Sequence, residues 1–309
     1  MPTPPFSFIV VAAGMKLDQA LQAVRLKGLM AHTQGHASIV IGLIDGPVEH
    51  DHPALAAGNL RVLGSAAGCK RGDSMACAHG TFVAGILHAR RGGAAPGLCP
   101  ASPLLSRPIF DEAGGGFPSC DAEELAAAIV DCLAAGARLL NLSVGVLRAS
   151  PAGERALTEA LDSAARRGTL VVAAAGNQGA VGGSVLIRHP AVISVVAADD
   201  SGRVANLSNV GMSIGRGGFA APGDDIESLA PQGRTRRFSG TSVAAPFVTG
   251  AAALLWATRP AAPAARIRQA LLASRGNSSS KRNSGGTRRT SIVPPMLDVQ
   301  AAWDVLRQT

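Results

Sequence analysis

Three side chains of this 309-residue chain have the types needed for acyl transfer: Asp45 in GLIDGPVEHDHPAL, His79 in CAHGTFVAGILHARR and Ser242 in FSGTSVAAPFVTGAAALLW. A carboxylate, an imidazole and a hydroxyl in that order can form a proton relay. The histidine takes the serine's proton and returns it to the leaving group. The aspartate holds the ring in the right tautomer and stabilises its charged form. Ser242 opens a run with no polar face, as expected of a buried helix. It is expected to lie at the helix mouth, where free N–H groups and the positive end of the helix dipole favour a developing oxyanion. A serine there is also an ordinary cap, and the two roles are compatible. Pro246 is expected in the first turn, where it is tolerated.

These residues need a scaffold that gathers distant segments. SIVIGLID, LLSRPIF, RLLNLSV, TLVVAAAG and VISVVAA are short apolar runs that read as buried strands. DAEELAAAIVDCLAAG and SPAGERALTEALDSAARRG, between them, read as helices with an acidic or capped start and a glycine stop. This alternation predicts an α/β fold: a three-layer, doubly wound, mostly parallel sheet with helices on both faces. Ligands in such folds gather at the carboxyl ends of the strands, where Asp45, Ser143 and Asn177 fall. Met15 to Met30 reads as one amphipathic helix and LDVQAAWDVL as a closing helix. The expected organisation is an N-terminal extension, 1–37, and one domain, 38–309, with a basic flexible loop at 275–291.

Composition narrows the function classes. The hydrophobic share is 47% and the charged share 16%, enough apolar residues for a large core. The formal net charge of +8 is concentrated in part in RGNSSSKRNSGGTRRTS, which has no aromatic for base stacking. No nucleic-acid partner is expected. MPTPPFSFIVVAAGMK has no basic residues ahead of its apolar run, so it makes a poor secretory signal. No membrane span is expected, and a cytoplasmic location follows. The five cysteines form no CxxC pair, which argues against a zinc site or a full disulfide framework. Cys77, two residues before His79, reads as an idle thiol.

The motifs LIDGPV, HGTFVAGI, AAAGN and SGTSVAAP, with NLSVG and FAAPGDDIES, resemble the subtilisin-like serine peptidases and cover residues 38 to about 258. The resemblance implies that Asp45 orients, His79 acts as base and Ser242 as nucleophile. It also implies that Asn177 donates its amide to the oxyanion, and that Ser143, Val144 and Gly145 pair with substrate backbone. Phe82 stands where the family often has a second histidine. The DGPV and RPIF segments look like the subgroup that trims leader peptides from ribosomally made peptides, as in cyanobactin maturation. The activity implied is a serine endopeptidase acting on a peptide or protein substrate, a precursor peptide included. The alternatives are a peptide ligase or cyclase, and a non-catalytic peptide-binding scaffold. No cofactor is required. Calcium is common in the family, but no loop around Asp51, Asp73, Asp224 or Asp225 matches a calcium pattern. The stretch QGAVGGS after Asn177 offers no charge, which suggests uncharged or apolar residues before the cut.

Overall fold

The computed structural model describes residues 17–55, 59–64, 68–93, 95–110, 112, 120–145, 150–275 and 291–308. Among these, seven strands form one sheet in the order β2-β3-β1-β4-β5-β6-β7, with every neighbouring pair parallel. The strands are β1 (Ile41–Asp45), β2 (Leu60–Val62), β3 (Leu104–Pro108), β4 (Leu139–Leu142), β5 (Leu170–Ala174), β6 (Val192–Ala198) and β7 (Phe219–Pro222). All five strands expected from sequence are present. β2 and β7, the two edge strands, were not foreseen: β2 has three residues with none fully buried, and β7 is an alanine-rich run that ends in proline. An antiparallel hairpin, β8 (Ile226–Ala230) and β9 (Arg234–Phe238), stands apart from the sheet.

Each central strand buries both faces, and its alternate residues enter two separate cores. Leu43, Val172, Ile193 and Val195 join the larger core, with the helices α3 (Met75–His88) and α8 (Thr241–Thr258). Ile44, Leu142, Val171 and Val196 join the other, with α4 (Ala122–Ala134) and α5 (Pro151–Arg166). This is the expected three-layer α/β arrangement. The starts of three of these helices follow from sequence chemistry. Ser74, Asp121 and Ser150 accept hydrogen bonds from Cys77, Glu124 and Gly153 N–H respectively, which satisfies amides that have no carbonyl behind them. The last helix, α10 (Val299–Arg307), is capped in the same way by Asp298.

Two expectations need correction. The N-terminal segment is two helices, α1 (Leu17–Ala23) and α2 (Lys27–His32), not one. Arg25 takes a left-handed conformation (φ 55°), and Leu26 and Arg25 N–H bond back to Leu21 and Gln22 C=O. That is a C-terminal helix cap built without glycine, so no stop residue was visible. Arg25 is held there by Asp298 at 2.9 Å. Residues 276–290, the body of the basic loop, lie outside the described residues. Its first residue, Arg275, donates to the carbonyls of Arg216 and Gly215.

The second correction concerns the thiols. Cys77 is not idle but disulfide-bonded to Cys69. The bond ties the segment before α3 to the helix that carries His79. Cys99, Cys120 and Cys132 are buried, and burial pushes each thiol up to about 12; all three are inert. Closing a loop of this length stabilises by about 2–3 kcal/mol on the chain-entropy account. Urea unfolding of a C69S/C77S variant should show a loss of that order. Unchanged stability would mean the pair does not form.

Candidate active site

The strand order reverses about β1: β2 and β3 lie to one side, β4 to β7 to the other. Asp45, Ser143 and Asn177 leave the carboxyl ends of β1, β4 and β5 beside this switch point, where open α/β sheets place their ligands. α8 packs against β4, β5, β6 and β7 from the larger core.

Asp45 and His79 meet because two glycines permit it. A Cβ on Gly46 would lie 2.0 Å from Ala76 C=O, and one on Gly80 would lie 2.3 Å from Gly46 C=O. Backbone sits on both sides of this contact, so no side chain can yield. The contact brings α3 directly against the turn after β1. His79 Nδ1 is then 2.7 Å from Asp45 Oδ1, and Nε2 is 2.9 Å from Ser242 Oγ. Asp45 is fully buried and His79 is 5% exposed. Asp45 Oδ1 also accepts Gly46 N–H at 2.6 Å, which fixes the carboxylate plane. Burial opposes the charged imidazole, but the charge and hydrogen bond of Asp45 outweigh it, and the His79 pKa is raised above 6.5. Phe238 sits against the ring with centroids 5.9 Å apart.

Asn177 is oriented by the start of α8. Its Oδ1 accepts both the N–H and the hydroxyl of Thr241, each at 2.9 Å. Only an oxygen can fill that place, so the amide Nδ2 is turned the other way, toward the Gly240 side of the nucleophile. The Thr241 hydroxyl in turn accepts Gly176 N–H at 3.1 Å. The neighbouring Ser242 N–H lies in the first turn of α8, where helix amides have no carbonyl behind them. Asn177 Nδ2, close to Gly240, and Ser242 N–H are thus two donors at the start of α8. Asn177→Ala should lower kcat by about 10²–10³ with little change in KM, the range for loss of one such donor. A rise in KM alone would remove Asn177 from that role.

Ser143, Val144 and Gly145 separate in the structure. Gly145 is exposed, with nothing within 4 Å of where a Cβ would be, so it can form an open wall. The side chains of Ser143 and Val144 are buried, so contact with substrate through these two is left to backbone. The Ser143 hydroxyl has another task. Pro246 lies inside α8 rather than at its first position, four residues after Ser242. It has no N–H to give the Ser242 carbonyl. Ser143 Oγ donates to that carbonyl at 3.1 Å in its place. Ser143 Oγ accepts from Asn141 Nδ2 at 2.8 Å, and Asn141 Oδ1 accepts the Thr249 hydroxyl at 2.8 Å. Asn141 and Thr249 are fully buried. This relay pins the nucleophile's backbone to the end of β4, and sequence reasoning missed it. The available signal was Thr249, a hydroxyl in an apolar buried helix that requires a partner.

The acidic residues weighed for calcium do not converge. Asp225 pairs with Arg237, Asp73 lies 3.6 Å from Arg71, and Asp224 accepts from Ser239. Among the described residues, one group has metal-ligand proximity: Cys69, Cys77 and Glu112. Its two sulfurs are bonded to each other. The Glu112 carboxylate accepts Lys70 N–H, Arg71 N–H and the Ser74 hydroxyl, each at 3.0 Å, so it does not fit a cation. Among the described residues, one helix, Thr241–Thr258, is long and apolar enough to cross a membrane; 83% of it is buried inside the protein, as a core helix.

A profile of the subtilase family, peptidase S8, matches residues 36–290. Subtilisin from Bacillus pumilus is 30% identical over 255 residues, covering 80% of this chain and 88% of that protein. Subtilisin NAT from Bacillus subtilis subsp. natto is 30% identical over the same length, and there the chain spans 63% of the relative. Among solved structures, the prenylagaramide maturation protease PagA is 30% identical with TM-score 0.78, covering 91% of this chain and 98% of that one. The patellamide maturation protease PatA is 33% identical with TM-score 0.73, covering 89% and 98%. The PatG macrocyclase domain is alike in fold, with TM-score 0.80 at 20% identity. With the profile spanning most of the described residues and all three relay side chains inside it, the chain belongs to the subtilase family.

Proposed function

We propose that this protein is a serine endopeptidase working through an acyl-enzyme. The observation that carries this reading is the unbroken chain from Asp45 through His79 to Ser242, with links of 2.7 and 2.9 Å. Ser242 Oγ attacks the scissile carbonyl while His79 Nε2 takes its proton. The resulting oxyanion accepts hydrogen bonds from Asn177 Nδ2 and Ser242 N–H. His79 then gives the proton to the leaving amine, and a water attacks the ester by the same route in reverse. Asp45 stabilises the imidazolium at each stage. An uncharged fluorophosphonate should label the wild-type chain at one site per molecule and leave Ser242→Ala unlabelled. Equal labelling of both rejects Ser242 as nucleophile.

The substrate we propose is a ribosomally made precursor peptide. The support is the likeness to PagA and PatA, both named as maturation proteases, at 30% and 33% identity. Ligation or cyclisation by aminolysis of the same acyl-enzyme is the second reading, since the relay is indifferent to whether water or an amine attacks. Its only support is the likeness in fold to the PatG macrocyclase domain, and at 20% identity that reaches no further than the fold. Mass spectrometry of the products distinguishes them: hydrolysis adds one water to the cleaved peptide, and cyclisation adds none.

A further inference from the structure

Beside the base lies a cleft that the relay does not use. It has a volume of about 400 Å³, and its walls include Gly72, Asp73, Ala78, Arg234 and Arg236. Ala78 is the residue before His79 on α3, so one wall of the cleft adjoins the base along that helix. We propose that this cleft binds an acidic side chain of the substrate, Glu or Asp, within about three residues of the scissile bond. The proposal rests on the peptidase reading and deepens it.

The argument begins with the alternation of β9. Thr235, which also borders the cleft, and Arg237 meet carboxylates. The Thr235 hydroxyl donates to Glu227 at 2.7 Å, and Arg237 pairs with Asp225 at 2.8 Å and Glu227 at 3.4 Å. Arg234 and Arg236 face the cleft, and neither has a carboxylate partner among the described residues. Arg234 is steadied by Gln232 Oε1 at 2.8 Å and Pro231 C=O at 3.3 Å. Arg236 lies over the Phe238 ring at 5.1 Å, and that ring lies 5.9 Å from the His79 ring. One aromatic ring therefore separates the Arg236 guanidinium from the base. An extended peptide rises about 3.3 Å per residue, which sets the reach of about three residues. Asp73, the one carboxylate of the cleft, has Arg71 at 3.6 Å, so the net charge facing a ligand stays positive.

The cleft is also held rigid. Ser228 on β8 donates to Phe82 C=O of α3 at 2.8 Å. At the hairpin turn, Gln232 N–H donates to both oxygens of Glu49 at 2.9 and 3.0 Å. The backbone that carries the two exposed arginines is thus fixed relative to α3 before substrate arrives, which lowers the entropy lost on binding. A planar guanidinium pairs a carboxylate through two parallel hydrogen bonds.

The test uses matched peptides carrying Glu or Gln at each of the three positions on either side of the cut. Values of kcat/KM are normalised to sites titrated with an uncharged fluorophosphonate. At low salt the wild type should favour Glu about tenfold at one or two positions, more than an isolated exposed ion pair supplies because two arginines converge. Added salt should erode the preference. R234A/R236A should abolish it, and R236E should turn it toward Lys at the same position. No Glu preference at any position, or a preference that survives in R234A/R236A, overturns the proposal. Should the wild type fail to label, the peptidase reading falls by itself. Anisotropy of the same peptides, labelled with a dye, on the Ser242→Ala protein still decides the cleft: tighter Glu than Gln binding, lost in R234A/R236A, supports it, and equal binding overturns it.

Discussion

Replacing either Ser242 or His79 by alanine should lower kcat by about 10⁶, and replacing both should cost little more. The magnitude is that found for subtilisin, to which this chain is similar; the geometry here explains why it transfers. Ser242 Oγ has one acceptor for its proton in line, His79 Nε2 at 2.9 Å. Without the imidazole the hydroxyl must attack in its neutral form. Without the hydroxyl, the imidazole has no nucleophile to activate but water. Each loss disables the whole relay, so the two effects cannot add. A 10⁶-fold fall is about 8 kcal/mol of transition-state stabilisation. What survives is the contribution of Asn177 Nδ2, Ser242 N–H and substrate binding, which neither substitution removes. The check is kcat for the two single variants and the double on one peptide substrate, with KM measured alongside. A double variant slower than the singles by a further large factor would show that the two groups act independently, and the relay would be wrong.

Legibility in the sequence followed the range of each interaction. The sheet strands that could be read were the five between the sheet edges, whose runs are rich in buried aliphatic residues, such as Ile41–Asp45 and Val192–Ala198. The relay residues were readable because each sits in a local motif with its own glycine: Asp45-Gly46, His79-Gly80 and Gly240-Thr241-Ser242. The structure gives those glycines a reason, since Gly46 and Gly80 allow α3 and the β1 turn to meet backbone to backbone. What could not be read depended on pairs far apart in the chain. Ser143 covering the Ser242 carbonyl is a contact across 99 residues, and Thr249 meeting Asn141 spans 108. Pro246 was visible, but its consequence, a carbonyl in need of a donor, has no local sign of which donor. The Cys69–Cys77 pair was missed for a different reason. An odd count and the lack of a CxxC spacing argue against a framework of bridges, and neither argues against one bridge. The division of β9 was invisible as well: RTRRF shows four polar residues, and only hairpin register decides that Thr235 and Arg237 meet Glu227 and Asp225 while Arg234 and Arg236 meet no carboxylate among the described residues.

Asp45→Asn should reduce kcat by about 10⁴ and move the acid limb of the pH profile to lower pH. Asn keeps the size of the side chain and removes its charge, and the local geometry makes either orientation of the amide harmful. With its oxygen at the Oδ1 place, it still accepts Gly46 N–H and His79 Nδ1–H, now at 2.6 and 2.7 Å from Asp45. The amide nitrogen then takes the Oδ2 place, which is buried and has no hydrogen-bond partner among the described residues, and the imidazolium loses its counter-charge. With the nitrogen at Oδ1, it opposes Gly46 N–H donor to donor. It also holds His79 in the tautomer whose Nε2 carries the proton, so the ring cannot accept from Ser242. The pH effect follows from the same residue. In the wild type, burial lowers the His79 pKa and Asp45 more than offsets it, so the net shift is upward from 6.5. The working base is neutral His79, so kcat/KM should fall as pH drops through a value above 6.5. In the variant the offset is gone and burial acts alone, so the ring stays neutral to lower pH and the acid limb should move below 6.5. The measurement is kcat/KM against pH for both proteins, each corrected for its titrated site concentration. A fall in rate with an unmoved acid limb would mean that Asp45 only orients the ring and that another group sets its charge.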